Sequence, residues 1–172
     1  NILQGRCVGG STTVNWTSSF RTPPAVFDFW QSRFGLRQLS AASMSSWFAV
    51  MEHKLWVRPW DTPPNANNRV LAAGAEKLGF EVGSIKRNVK GCWNLGYCGM
   101  GCPTNAKQSM LVTTIPAALD RGTTLYTRLR AQRLRVDGNR VSALDCVALQ
   151  SDGIHPSGRR LHFRARHFVI AG

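Results

Sequence analysis

Gly9-Gly10-Ser11-Thr12-Thr13-Val14-Asn15 is the stretch on which the reading of this chain depends. Paired glycines let a backbone come against a bulky ligand or a phosphate that a Cβ would hold off. Ser11, Thr12 and Thr13 add hydroxyls, and the Asn15 amide can both donate and accept. A nucleoside-triphosphate loop is excluded, because no Gly-Lys-Ser/Thr ending follows. The dinucleotide fingerprint is missing as well. Gly99-Met100-Gly101 comes nearest to it, lacks the third glycine, and follows a cysteine loop rather than a strand. Taken alone the run is a turn, so its meaning rests on the rest of the chain.

Downstream, the apolar residues Val26, Phe27, Trp30 and Phe34 fall near helical spacing and predict a short helix over 24–34, ended by Gly35. Ser40 is placed to cap a second helix, whose Met44, Trp47, Phe48, Met51 and Leu55 make one apolar stripe read as core packing; Pro59 stops it. Val70, Leu71, Gly74 and Leu78 form a third helical face closed by Gly79, and residues 80–85 suit a short strand. After a Gly- and Cys-containing loop to Ala106, a helical stretch is expected to reach Asp120, divided or restarted at Pro116.

From Thr123 the period changes to two: Leu125, Thr127 and Leu129, then Leu134 and Val136, then Val141 and Cys146 to Leu149 read as strands, with Asp137-Gly138-Asn139 as a hairpin turn. Leu161, Phe163 and Ala165 alternate again. His167-Phe168-Val169-Ile170-Ala171-Gly172 reads as a buried strand of parallel type followed by a turn. The expected class is α+β, mainly helical first and a β-meander after.

At 172 residues and 43% hydrophobic content the chain has material for one globular domain, and disorder is set aside. A net charge of +13 raises a polyanion partner. The cations are scattered, and the densest group, Arg128, Arg130, Arg133 and Arg135, suits strand positions rather than a groove-reading helix; no zinc-finger, RNA-recognition or helix-turn-helix pattern accompanies it. No nucleic acid is therefore expected, and a basic module binding nucleic acid or an anionic surface stays as the second reading. No apolar run is long enough for a transmembrane span. Asn1-Ile2-Leu3-Gln4 carries neither an initiator Met nor a signal pattern, and the last strand has no helix after it, so both ends are expected to be internal to a longer chain.

Five cysteines, an odd number, make no complete disulfide framework. Cys7 and Cys146 are read as small core residues. Cys92, Cys98 and Cys102 are separated by five and then three residues, which matches neither the common zinc spacing nor the plant-type iron–sulfur spacing. Structural thiols or one local disulfide are preferred over a metal, and no metal ligand is nominated. His53, His155, His162 and His167 are read as solvated or structural. Asn15-Trp16-Thr17 also satisfies the glycosylation sequon, a use of Asn15 that competes with any ligand contact there.

Four stretches in order point to one family. Arg6-Cys7-Val8-Gly9-Gly10-Ser11-Thr12-Thr13-Val14-Asn15-Trp16-Thr17 closely resembles the flavin-contacting loop of the glucose-methanol-choline oxidoreductases. Cys98-Gly99-Met100-Gly101-Cys102-Pro103-Thr104-Asn105-Ala106-Lys107-Gln108-Ser109 looks like the Cys-x-x-Gly-Cys-x-x-Gly-Ala-Lys-x-Ser run of the branch with long-chain alcohol oxidases and related bacterial dehydrogenases. Asn105 replaces a Gly there, and Asn best tolerates the left-handed backbone of such a turn. Pro116 to Gly122 resembles the helix before the family's meander, and the closing strand resembles the one that returns to its flavin domain.

The resemblance implies a piece of an α/β FAD-binding fold: residues 1–23 as the flavin-contacting loop, 24–122 as a mainly helical substrate-domain segment, and 123–172 as the meander and returning strand. It implies FAD bound against Gly9 and Gly10, with Ser11 and Asn15 hydrogen-bonding to it. Val14 stands where some members link flavin through His, so the cofactor would be non-covalent. Thr127 to Leu134 resembles the family's adenine-contacting strand, with Ala131 in the place of its Val. Hydride would pass from an alcohol to the flavin. The family's catalytic His lies in a C-terminal part outside this stretch, so no catalytic residue is nominated, and the N- and C-terminal parts of the same enzyme are the implied partners of a piece inactive by itself.

Overall fold

The computed structural model of the chain describes residues 3–171, which divide into two compact units, Asn1–Asp120 and Arg121–Gly172. The first unit is mainly helical. A single helical turn, α1 (Ser11–Val14), follows the glycine pair. Helix α2 (Pro24–Phe34) starts with Pro24 in its first turn, where a missing N–H costs nothing, and ends on Gly35. Helix α3 (Ala41–Lys54) is capped as expected by Ser40, whose hydroxyl accepts from the Ser43 amide at 3.0 Å while the Ser43 hydroxyl accepts from the Ser40 amide at 2.9 Å. Phe27 joins the two helices: it is 2% exposed, with its ring 5.6 Å from Trp30 and 6.5 Å from Phe48.

Two members of the α3 stripe depart from the core reading, since Trp47 is 65% and Met51 38% exposed, while Met44 and Leu55 are half-buried. Helix α4 (Ala66–Lys77), capped by the Asn65 side chain, likewise leaves Val70 and Leu71 exposed. Periodicity locates an apolar face without showing what lies against it.

Strand β1 (Val57–Pro59) pairs antiparallel with β2 (Lys86–Asn88). The strand expected at 80–85 thus forms a few residues later, where 86–88 pair with β1 and where Ser18 bridges Arg87 and, further along, Lys107 bridges Val89. That second bridge also draws residues 106–108 into extended chain, so the expected helix to Asp120 shrinks to α5 (Thr114–Leu119). Backbone pairing across the fold outcompetes local helical preference here. Among the described residues, the buried side chains of this unit include polar Thr17, Asn88, Lys107 and Ser109 beside Phe27 and Ala106.

The second unit is a three-stranded antiparallel meander in the order β3 (Leu129–Asp137), β4 (Arg140–Leu149) and β5 (Pro156–Phe163). Gly138-Asn139 closes the first hairpin, with Gly138 at φ 56°. Strand β3 begins only at Leu129, because Arg128 sits at φ 53°, outside the β region; Leu125 and Thr127 precede that break and are not in the sheet. Ala143, Cys146 and Val147 are buried, and Tyr126 packs edge-on to Phe163 with centroids 5.3 Å apart. Residues 167–171 pair with no strand among the described residues, and Val169 and Ile170 are exposed; Gly172 lies outside the described residues.

Candidate functional site

The glycine pair folds into a cradle whose two members differ. Gly9, at φ 88°, has no room for a side chain: a Cβ would lie 2.5 Å from Thr13 Oγ1 and 2.8 Å from the Leu111 backbone nitrogen. Gly10, at φ 57°, faces open space, with nothing within 4 Å of the same position. The backbone of Gly10 is therefore accessible to a ligand, while Gly9 is needed for packing.

The hydroxyls expected to face a ligand are partly used by the loop itself. Ser11 Oγ accepts from the Gly5 amide at 3.0 Å, Thr12 Oγ1 donates to the Gly9 carbonyl and accepts from the Met110 amide at 3.0 Å, and Thr13 Oγ1 donates to the Val8 carbonyl at 2.9 Å. Ser11 and Asn15 remain exposed and Val14 half-buried, all on this one loop. Asn15 Oδ1 accepts from the Thr17 amide at 3.2 Å. The sequon hydroxyl of Thr17, 1% exposed, donates to the Trp16 carbonyl and accepts from Arg87 Nε at 2.7 Å, so the folded chain does not present it.

Lys107 supports the loop from beneath. Only 2% exposed, its ammonium donates to the carbonyls of Thr13 at 2.8 Å, Asn15 at 2.6 Å and Cys98 at 2.6 Å. Three protons meet three acceptors, which answers the cost of burying the charge. Burial still holds the lysine below its ordinary pKa, against the opposing pull of the Cys98 and Cys102 thiols. The sequence reading passed over Lys107; its signal was a lone lysine among the small residues of Ala106-Lys107-Gln108-Ser109. Arg87 was passed over too. It stacks 4.3 Å above the Trp60 ring and donates to Trp16 O at 3.2 Å.

Cys92, Cys98 and Cys102 line one cavity of about 160 Å³, together with Trp16, Trp60 and Trp93. All are free thiols. Among the described residues no group of three His, Cys, Asp or Glu side chains is placed to hold a metal. Burial pushes the Cys102 thiol up, but the Thr104 hydroxyl and the amides of Lys107, Thr104 and Ala106 outweigh it and bring the thiol below its ordinary range. Asn105, in the middle of that turn, has the left-handed φ of 55° expected of it. Cys7 corrects the core reading: it is exposed, its thiol 3.5 Å from the Gly10 carbonyl, because it sits on the outer side of the turn. Cys146 is buried.

Ala131 belongs to the second unit and is described there alone. It lies on the edge strand β3, paired with Cys146, immediately before a bulge at Gln132. An edge strand beside a bulge leaves backbone groups outside the ladder. The histidines lie at the surface: His155 pairs with Asp152 at 2.6 Å and His162 with Asp145 at 2.7 Å.

The family model for GMC oxidoreductases, in its N-terminal, FAD-binding region, matches residues 1–172. The uncharacterized GMC-type oxidoreductase y4nJ of Sinorhizobium fredii is 31% identical over 98% of this chain and 33% of its own length. The long-chain-alcohol oxidase FAO1 of Arabidopsis thaliana is 25% identical over 99% of this chain and 23% of its own. An uncharacterized GMC-type oxidoreductase of Mycobacterium tuberculosis, Rv0492c, is 33% identical over 77% of this chain and 21% of its own. The chain thus spans a third or less of the length of these relatives. With a family match along its whole length, the chain belongs to the GMC oxidoreductases.

Proposed function

We propose that this chain forms part of an enzyme that oxidises the CH–OH group of an alcohol with non-covalently bound FAD. The observation that carries the reading is the Gly9-Gly10 loop: its inner glycine is locked by packing and its outer glycine is open. Gly10 at φ 57°, with open space where a Cβ would stand, fits the close approach of a flat cofactor to the backbone. Exposed Ser11 and Asn15 supply polar contacts beside it, and the Lys107 ammonium holds the loop's carbonyls inward. Val14 offers no nucleophile for a covalent link. In the second unit, the edge backbone at Ala131 suits an adenine contact.

Bound flavin would supply the hydride acceptor. This chain would contribute the loop wall, a helical substrate-side segment over 24–122 and the meander over 123–172, with no proton acceptor of its own and no activity alone. An alcohol substrate is favoured because relatives of this chain include long-chain-alcohol oxidases.

The test is the cofactor content of the full-length protein. Purified protein is expected to show a flavin spectrum, and acid precipitation should release all of the flavin into the supernatant. Flavin retained in the pellet would overturn the non-covalent assignment. Absence of flavin after purification and reconstitution would overturn the reading as a whole.

A further inference from the structure

The meander has two chemically opposite faces, and a bulge makes them so. Arg130 pairs with Val147, which pairs with Arg160; in the next row Arg133 pairs with Asp145, which pairs with His162; beyond it Arg135 pairs with Ala143. Residues directly opposite in antiparallel strands share a face, and so do residues two apart on one strand. Val147, Asp145 and Ala143 alternate along β4, so all three rows lie on the same side. Arg130 and Arg133 are three apart and would face opposite ways on a regular strand. The register shift between Ala131 and Arg133 leaves Gln132 as an extra residue and returns Arg133 to the side of Arg130.

Arg130, Arg133, Arg135 and Arg160 are exposed on this face, while Val147 between Arg130 and Arg160 is only 5% exposed. The other charged groups are Asp145, which accepts from Arg135 at 2.7 Å and pairs with His162, and the Asp137–Arg140 pair at the hairpin end. Cations stay in excess. Beside the face, Arg130 donates to the Ile154 carbonyl at 2.6 Å, and Ile154, at the loop before β5, is 53% exposed. The opposite side carries Leu134, Leu144 and Phe163.

We propose that this arginine face is a docking surface for an anionic lipid bilayer. The face is the side of an open three-stranded sheet, and its charge complements phosphate headgroups. Ile154 at its edge is an aliphatic group suited to the headgroup boundary. Single-stranded nucleic acid is disfavoured because Tyr126 and Phe163 pack edge-on to each other at the other side of the sheet, away from the arginines.

The experiment is co-sedimentation of the full-length protein with phosphatidylcholine vesicles, with and without phosphatidylglycerol. Binding is expected only to the phosphatidylglycerol vesicles and should fall with added salt. Combined Arg130→Gln, Arg133→Gln and Arg160→Gln should weaken it about a hundredfold, at about fivefold per arginine near a charged surface. The matching triple Lys variant keeps charge and should bind nearly as the parent, which separates lost charge from lost fold. The proposal is overturned if the parent ignores phosphatidylglycerol, if the Gln variant binds as well as the parent, if the Lys variant binds as poorly as the Gln variant, or if a single-stranded oligonucleotide is bound in preference to the vesicles. The flavin spectrum of each variant reports the cofactor assignment separately.

Discussion

Lys107 donates to the backbone carbonyl of Asn15 at 2.6 Å across 92 positions of sequence, and thereby fastens the glycine loop to the turn that follows the cysteine cavity. The same ammonium reaches Thr13 and Cys98, so one side chain joins two of the segments that carry the family resemblance.

Replacing it tests how far the loop depends on it. Lys107→Met keeps length and removes the charge, leaving three carbonyls without their donor. The expected loss of stability is about 3 kcal/mol, the scale of charge-assisted bonds lost in a buried place. Urea unfolding measures it. A loss under about 0.5 kcal/mol would show that water replaces the ammonium at little cost.

The two glycines should respond differently. Gly9→Ala places a Cβ against the Leu111 backbone and should destabilise the chain by several kcal/mol in the same unfolding experiment. Gly10→Ala carries only the left-handed strain of about 1–2 kcal/mol, yet should lower the flavin content of the full-length protein sharply. Equal effects on stability, with flavin unchanged at Gly10, would count against ligand approach there.

The Cys102 thiol should react with iodoacetamide at lower pH than an ordinary thiol of pKa about 8.5. Peptide mass mapping across a pH series gives the midpoint. Thr104→Val removes the hydroxyl 3.5 Å from the sulfur and should move the midpoint upward. No movement would assign the effect to the backbone amides alone.

Hydrogen bonds from His162 and then Arg135 hold the Asp145 carboxyl below its ordinary pKa of about 3.9. A carboxylate depressed in the folded state contributes stability above the unfolded value, and that contribution is lost as pH falls through the folded one. Thermal melts should therefore drop below about pH 4, and the drop should shrink in Asp145→Asn. An identical acid profile in the variant would remove Asp145 from the account.

Local chemistry was the legible part of this protein. The Ser40 cap, the turn at Gly138, the left-handed Asn105 and the three main helices each follow from a few adjacent residues, because capping and turn geometry are settled within one or two peptide units. The family resemblance was legible for the same reason, resting on short runs in a set order. Elements whose partners are distant were misplaced: residues 106–108 have helical composition but extend because β2 lies beside them, and Trp47 and Met51 show a core-like period without a core above them.

By itself the sequence determined the main turns, the three longer helices and the hairpin of the meander, and that a glycine pair stands at positions 9 and 10. Only the tertiary structure decided that Gly9 is filled from behind while Gly10 is open, that Lys107 is buried beneath them, and that Arg130 and Arg133 share a face. The first group depends on backbone sterics and spacing inside one segment. The second depends on what a distant segment brings alongside, and on one inserted residue at Gln132 that reverses the side on which the next arginine emerges.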